Sequence, residues 1–123
     1  MRKTLTDFAR DLAGINDLMC SALSVKARFR GTGVVNPKAA ADLGLLGVAG
    51  RASGVAFDTR RQMPGRLYES LPLESVTESS GDCWARMVVR MREIDASLAW
   101  LFRVLDDEQL DLTGEGTKPA SLT

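Results

Sequence analysis

The run Gly81–Leu105, GDCWARMVVRMREIDASLAWLFRVL, constrains this chain more than any other. It contains neither proline nor glycine after its first residue, and its spacing predicts one long helix. Trp84, Met87, Val88, Met91, Ile94, Leu98, Leu101 and Leu105 recur at steps of three and four, which places them on one face. At about 100° per residue, Val89, Ala96, Trp100 and Val104 fall on the opposite side, with a polar strip of Arg86, Arg90, Glu93 and Ser97 between the two. A helix that is apolar on two sides is covered on both, so it belongs at the centre of a fold. Asp82 is placed to cap it, where a carboxylate accepts from exposed amides and favours the positive end of the helix dipole.

At 123 residues the chain is long enough for one core and one domain. Lysine plus arginine balances aspartate plus glutamate at 16 each, so no basic field exists to hold nucleic acid. Histidine is absent, which removes Ser–His and Cys–His catalysis, His-containing zinc sites and haem ligation by His. Cys20 and Cys83 stand alone, outside any Cys-x-x-Cys pair, and read as reduced, core-filling thiols. No apolar stretch is long and clean enough to span a bilayer. The basic start MRKTLTDFARD reads as an amphipathic helix, not a signal peptide.

A second helix is expected over Leu5–Leu23, with Leu5, Phe8, Leu12, Ile15, Met19 and Ala22 on its apolar face and Leu18 beside them. Its charged residues Asp7, Arg10, Asp11 and Asp17 lie off that seam, so it reads as a packing partner for the central helix. Gly14 weakens it by about 1 kcal/mol relative to alanine. The chain is then expected to leave the helix at Ser24 and to turn at Gly31–Thr32–Gly33. Asn36–Pro37 starts a new short helix over Lys38–Leu43, Asn as cap, Pro in the first helical position, and Gly44 beyond the end. In Leu45–Phe57, LLGVAGRASGVAF, four glycines counting Gly44 punctuate small apolar residues, and Arg51 is the single charge. A phosphate-cradling loop is disfavoured, because no Gly-Lys-Ser/Thr follows. Tight packing of a buried backbone segment is favoured. An arginine there needs a carboxylate or carbonyls, or must reach water.

Asp58, Arg60, Arg61 and Arg66 form a charged cluster. It reads either as an anion or partner contact, or as a solvated turn with Asp58 paired to Arg51 or Arg90. Met63–Pro64–Gly65 is a turn, and Tyr68 is core or interface filler. No carboxylate pair flanks a catalytic motif. The strongest polar constellation is Arg86–Arg90–Glu93, in which Arg90 and Glu93 are three apart and can meet on the helix. Together with Arg51, Asp58 and Arg60 these make a candidate structural ion-pair network, without a catalytic, cofactor-binding or metal-ligating residue. The predicted class is all-α: a helical bundle around one long central helix with a Gly-rich irregular segment. Residues 1–105 form a single helical domain, and 106–123 form a polar tail.

The stretch RFRGTGVVNPKAAADLGLLGVAGRASGVAFDTRR, then Tyr68, then GDCWARMVVRMREIDASL resembles the middle of the 49-kilodalton-class (D-type) subunit of respiratory complex I. It is similar in equal measure to the large subunit of membrane-bound, formate-hydrogenlyase-type nickel–iron hydrogenases. Shared are a turn with Gly-Val, a Pro-started helix ending at Leu-Gly, an Arg-Ala-Ser-Gly segment with Asp-x-Arg, and a Gly-Asp-led long helix with Arg-x-x-Glu. The succession runs from about Leu5 to Leu105. It implies a helical part of a redox subunit, peripheral to the membrane on the cytoplasmic side and bound to other subunits of a membrane complex. The implied parent reaction is electron transfer from NADH to quinone, or hydrogen evolution or uptake. The hydrogenases of this family hold nickel and iron through two Cys-x-x-Cys motifs, which are absent here. The quinone-pocket His and Tyr of complex I members precede the matched region. The resemblance therefore implies a scaffold, an excised core or decayed remnant of a larger protein, with no metal, cofactor or activity of its own.

A rival reading is a stand-alone helical interaction module with Val89, Ala96, Trp100 and Val104 as its contact stripe. In the fragment reading the same stripe is covered by other parts of the parent, and drives homodimerisation of the isolated piece. A small enzyme built on Asp58 and the arginines is the weakest reading, since no nucleophile or base accompanies them.

Overall fold

The long helix forms as the sequence predicts, over Cys83–Asp106 (α7), and the rest of the chain is laid along it. Residues 1–107 are described in the computed structural model. In chain order α7 is preceded by α1 (Arg2–Ser21), α2 (Leu23–Phe29), α3 (Pro37–Asp42), α4 (Gly47–Ala52), α5 (Thr59–Gln62) and α6 (Arg66–Ser70); no strand occurs among the described residues. α1, α2 and α4 pack on α7, and α3 packs on α4. The polar tail predicted over 106–123 lies outside the described residues, except that Asp106 closes α7 and Asp107 caps it.

Local chemistry sets the starts of these helices. Asp82 caps α7 by accepting from the Ala85 amide at 2.8 Å, and Asn36 caps α3 by accepting from the Ala39 amide at 2.8 Å with Pro37 behind it. Gly44 then takes a left-handed φ of 61° just past α3, which ends that helix.

The first helical segment differs from the expectation in where it stops. α1 breaks at Ala22, whose ψ of 115° is extended, and the chain re-enters a helix through Phe29 where a loop was expected from Ser24. Val25 and Phe29, four apart, are half-buried, and Lys26, Ala27 and Arg28 are good helix formers. One bend therefore separates two packed helices, and the turn at residues 31–33 comes only after the second.

The tightest packing involves small residues. Ala52 of α4 meets Ala85 and Val89 of α7 in a fully buried cluster, flanked by Val48 and Val76. Backbones approach closely around it. A Cβ on Gly50 would run into the carbonyl oxygen of Leu45, and one on Gly81 into that of Val35. Gly81 also has a left-handed φ of 65°, and its carbonyl accepts from the Val35 amide at 3.0 Å. The Gly-rich segment thus contains a six-residue helix seated against the spine, and of its glycines Gly50 is the one required by a close contact, whereas Gly44, Gly47 and Gly54 supply left-handed φ.

Both sides of α7 contribute to the buried interior, unequally. Ala85, Val89 and Val104 are buried, and of the face with the longer apolar run Leu98 is buried while Ile94 and Leu101 remain exposed. Small side chains let α4 come close enough to seal its side. α1 covers the other side only in part, leaving Phe8, Ile15 and Leu18 in solvent.

Candidate functional site: a charge suture between α4 and α7

Arg51 is the single charge of the Gly-rich segment and is buried. Its Nε donates to Glu93 Oε1 at 2.5 Å, and its Nη1 donates to the Phe57 carbonyl at 3.3 Å. Its own carbonyl accepts from the Glu78 amide at 2.9 Å. One residue therefore joins α4, the link after it, the segment leading into α7 and α7 itself. The side chains of Arg51 and Glu93 are 10% and 17% exposed, so the pair sits where neither charge has water enough to stand alone.

Asp58 is the second buried carboxylate of the network. It caps α5 through the Arg60 amide at 3.0 Å and grips the Arg60 guanidinium twice, at 3.0 Å from Nε and 2.7 Å from Nη2. The side-chain bonds from Arg60 hold its carboxyl below the usual range, against the opposing effect of burial, and the charge of Arg51 adds to the lowering. The same bonds push the Arg60 guanidinium further up.

Of the predicted network, the structure brings together Arg51 with Glu93 and Asp58 with Arg60. Arg90 stands apart: it is exposed, and its Nη1 donates to the Arg86 carbonyl at 3.2 Å in place of the expected Glu93. The predicted contact stripe is occupied from within the chain. Val89 and Val104 are buried, Trp100 stacks on Tyr68 at 5.0 Å and donates from Nε1 to the Leu71 carbonyl at 2.6 Å, and Ala96 is half-buried.

A third polar centre was visible in the sequence only as a cap. Asp82 also accepts from the Gly31 amide at 2.8 Å and the Ser80 hydroxyl at 3.0 Å, so it ties the turn after α2 to the start of α7. Burial raises the cost of its charge, but the amides of Ala85 and Gly31 and the Ser80 hydroxyl outweigh it, and its carboxyl is held below the usual range. Two flanking acceptors for Arg86, the carbonyls of Gly81 at 2.7 Å and Gly33 at 3.1 Å, close the same junction.

None of these constellations has the form of a catalytic dyad or a redox centre. Cys20 lies against the Met91 sulfur at 3.8 Å, while Cys83 lies beside the Arg86 guanidinium at the start of α7. The two thiols serve different junctions, and no cluster of three or more His, Cys, Asp or Glu positioned for a metal occurs among the described residues. The residues present do not fit the nickel–iron centre that the hydrogenase resemblance implies. No described helix is long and apolar enough to cross a membrane.

Comparison with known proteins gives this architecture its relatives. The family model for the respiratory-chain NADH dehydrogenase 49 Kd subunit matches residues 1–115. The chain belongs to this family. The D-type subunit of the NADH-quinone oxidoreductase of Ehrlichia canis is 36% identical over 104 residues that make up 85% of this chain and 26% of the relative. The carbon monoxide-induced hydrogenase of Rhodospirillum rubrum is 35% identical over 96 residues, 78% of this chain and 27% of that protein. A chain in the structure of the membrane-bound sulfane sulfur reductase, an archaeal respiratory membrane complex, superposes with a TM-score of 0.80 at 30% identity, covering 96% of this chain and 30% of that one. The chain thus spans about a quarter of the length of these curated relatives and is homologous to part of a large subunit of respiratory membrane complexes.

Proposed function

We propose that the chain is the helical core of a 49 Kd-type redox subunit and acts there as a scaffold, holding helices in register without carrying electrons itself. The observation that carries this reading is the Arg51–Glu93 pair, which fastens a six-residue helix that has no stability of its own to the long spine. Buried charges of this kind specify register more than they add stability. Both thiols and the buried carboxylates are committed to structural contacts. In this reading the parent belongs to a membrane-bound complex of the NADH-quinone oxidoreductase or hydrogenase kind. The chain lies peripheral to the bilayer on the cytoplasmic side and meets other subunits of that complex. Quinone or a nickel–iron centre is handled by parts of the complex other than residues 1–107.

The test is to tag the chain, express it in its own host, and isolate it from gently solubilised membranes. Scaffold membership predicts recovery with other redox subunits, and no NADH-dependent quinone reduction or hydrogen uptake by the chain purified alone. Recovery without such subunits, or turnover by the isolated chain, overturns the reading.

A further inference from the structure

The stretch between α6 and α7 is fastened at its two ends and free in the middle. The Leu71 carbonyl accepts from Trp100 Nε1 at 2.6 Å, and the Pro72 carbonyl from Arg103 Nη1 at 3.3 Å. At the far end the Glu78 amide donates to the Arg51 carbonyl at 2.9 Å, and the Glu78 carboxylate accepts from Arg92 Nη1. Arg103 and Arg92 stand about 16 Å apart along α7 at its rise of about 1.5 Å per residue. Residues 72–78 therefore cross that span at about 3 Å each, close to an extended strand. Among the described residues, neither the amides nor the carbonyls of residues 73–77 find a hydrogen-bond partner. The Ser75 hydroxyl is unpartnered as well, and it is shut off from solvent. A backbone in this state is an open strand edge, a template for pairing with another chain.

The ground beside that edge is polar and basic. A trough of about 490 Å³ is walled by Ala56, Arg61, Gln62, Ser75 and Thr77. A second, of about 470 Å³, shares Arg61 and Ser75 with it and continues to Arg103. Both arginines are exposed. Among the described residues the Arg61 guanidinium has no partner, and Arg103 has only the Pro72 carbonyl. Glu74 also lines the second trough and pairs with neither, so the lining carries two positive charges against one negative. A small anion would answer the arginines and leave the carbonyls unmatched. An extended polypeptide answers the whole edge, with amides and carbonyls at the repeat of a strand and carboxylate side chains for the arginines.

We propose that residues 73–77 are a strand-addition edge, on which an extended, acidic segment of a neighbouring subunit pairs backbone to backbone, with its carboxylates on Arg61 and Arg103. Backbone pairing supplies the affinity, and the two arginines select an acidic strand and set its register. This rests on the scaffold reading and adds the place where a partner subunit attaches.

The experiment is amide hydrogen exchange on the purified full chain and on the membrane complex recovered with it. In the purified chain the amides of residues 73–77 should exchange at close to the unprotected rate, and in the complex alternate amides should slow by at least about tenfold. Arg61→Glu, which changes an exposed side chain outside the Asp58–Arg60 pair, should lower that protection about tenfold. Ser75→Pro, which removes one amide from the edge, should do the same, with circular dichroism confirming that each variant is folded. A recovered complex in which these amides exchange as fast as in the purified chain overturns the proposal and leaves the scaffold reading standing. Protection already present in the purified chain overturns it too, because the edge would then be covered by this chain or by a second copy. Protection in the complex that survives both substitutions does the same, since neither backbone pairing nor the arginines would be its source. If no redox subunit is recovered at all, the scaffold reading fails and this proposal falls with it.

Discussion

Removing Arg51 is the sharpest perturbation of this fold. In Arg51→Ala the Glu93 carboxylate loses its partner while its side chain remains only 17% exposed, and the Phe57 carbonyl loses a donor. Stranding one member of a buried pair costs about 3–5 kcal/mol. Because Glu93 keeps a little access to water, the lower end, about 3 kcal/mol, is expected. For a chain this size a urea slope of about 1.5 kcal/mol per molar converts that into a midpoint lower by about 2 M. Tryptophan fluorescence and circular dichroism report it together, Trp84 and Trp100 both being on α7. The partner variant Glu93→Ala should lose a similar amount. The double variant Arg51→Met/Glu93→Leu, which replaces the pair by apolar bulk, should lose much less than the two single losses combined. A loss below about 0.5 kcal/mol for Arg51→Ala, or simple additivity in the double variant, would refute the suture.

Three further outcomes follow from the same geometry. Arg90→Ala should leave monomer stability within about 0.5 kcal/mol, as measured by urea unfolding at low protein concentration, because Glu93 takes its proton donor from α4 and not from its helical neighbour. Gly81→Ala should lower the melting temperature by about 10 °C or more, since the added carbon meets the Val35 carbonyl and the left-handed φ disfavours any side chain. Asp58 and Asp82 both have carboxyls held low in the folded state, so at acid pH the unfolded chain binds more protons than the folded one. Their contribution is fully present above the ordinary carboxylate range near about pH 4 and is lost as pH falls through their lower folded values. Urea midpoints taken from pH 7 down to pH 2.5 should fall over that window, and Asp82→Asn should flatten part of the slope; a slope unchanged by that variant would remove Asp82 from the account.

What the sequence reveals and what it hides follow from range. The spine is legible because three-and-four spacing and an acidic cap are local facts, as is the Asn36–Pro37 start of α3. The Gly-rich segment is legible as close packing only at Gly50 and Ala52; Gly44, Gly47 and Gly54 are exposed and serve left-handed turns. The partner of Glu93 is not legible. Arg90 is three residues away and obeys a helix rule, whereas Arg51 is 42 residues away, and no local rule ranks a distant arginine above a near one. How tightly each side of α7 is packed is hidden for a related reason. Apolar count ranks the side with Ile94 and Leu101 first, yet only Leu98 of that side is buried, whereas Ala52 packs on Ala85 and Val89 in the fully buried cluster. α2 was concealed by the bend at Ala22, where an extended residue interrupts two helices that share one packing surface.

The scaffold claim comes down to α4 and α7 behaving as one rigid unit, and amide hydrogen exchange of the intact chain measures that directly. A six-residue helix held only by local hydrogen bonds exchanges within moments. The account predicts that the amides of Gly50–Ser53 exchange as slowly as those around Val89, and that Arg51→Ala speeds both. Fast exchange in α4 beside a protected α7 would contradict it, because the suture would then not be holding the two helices together.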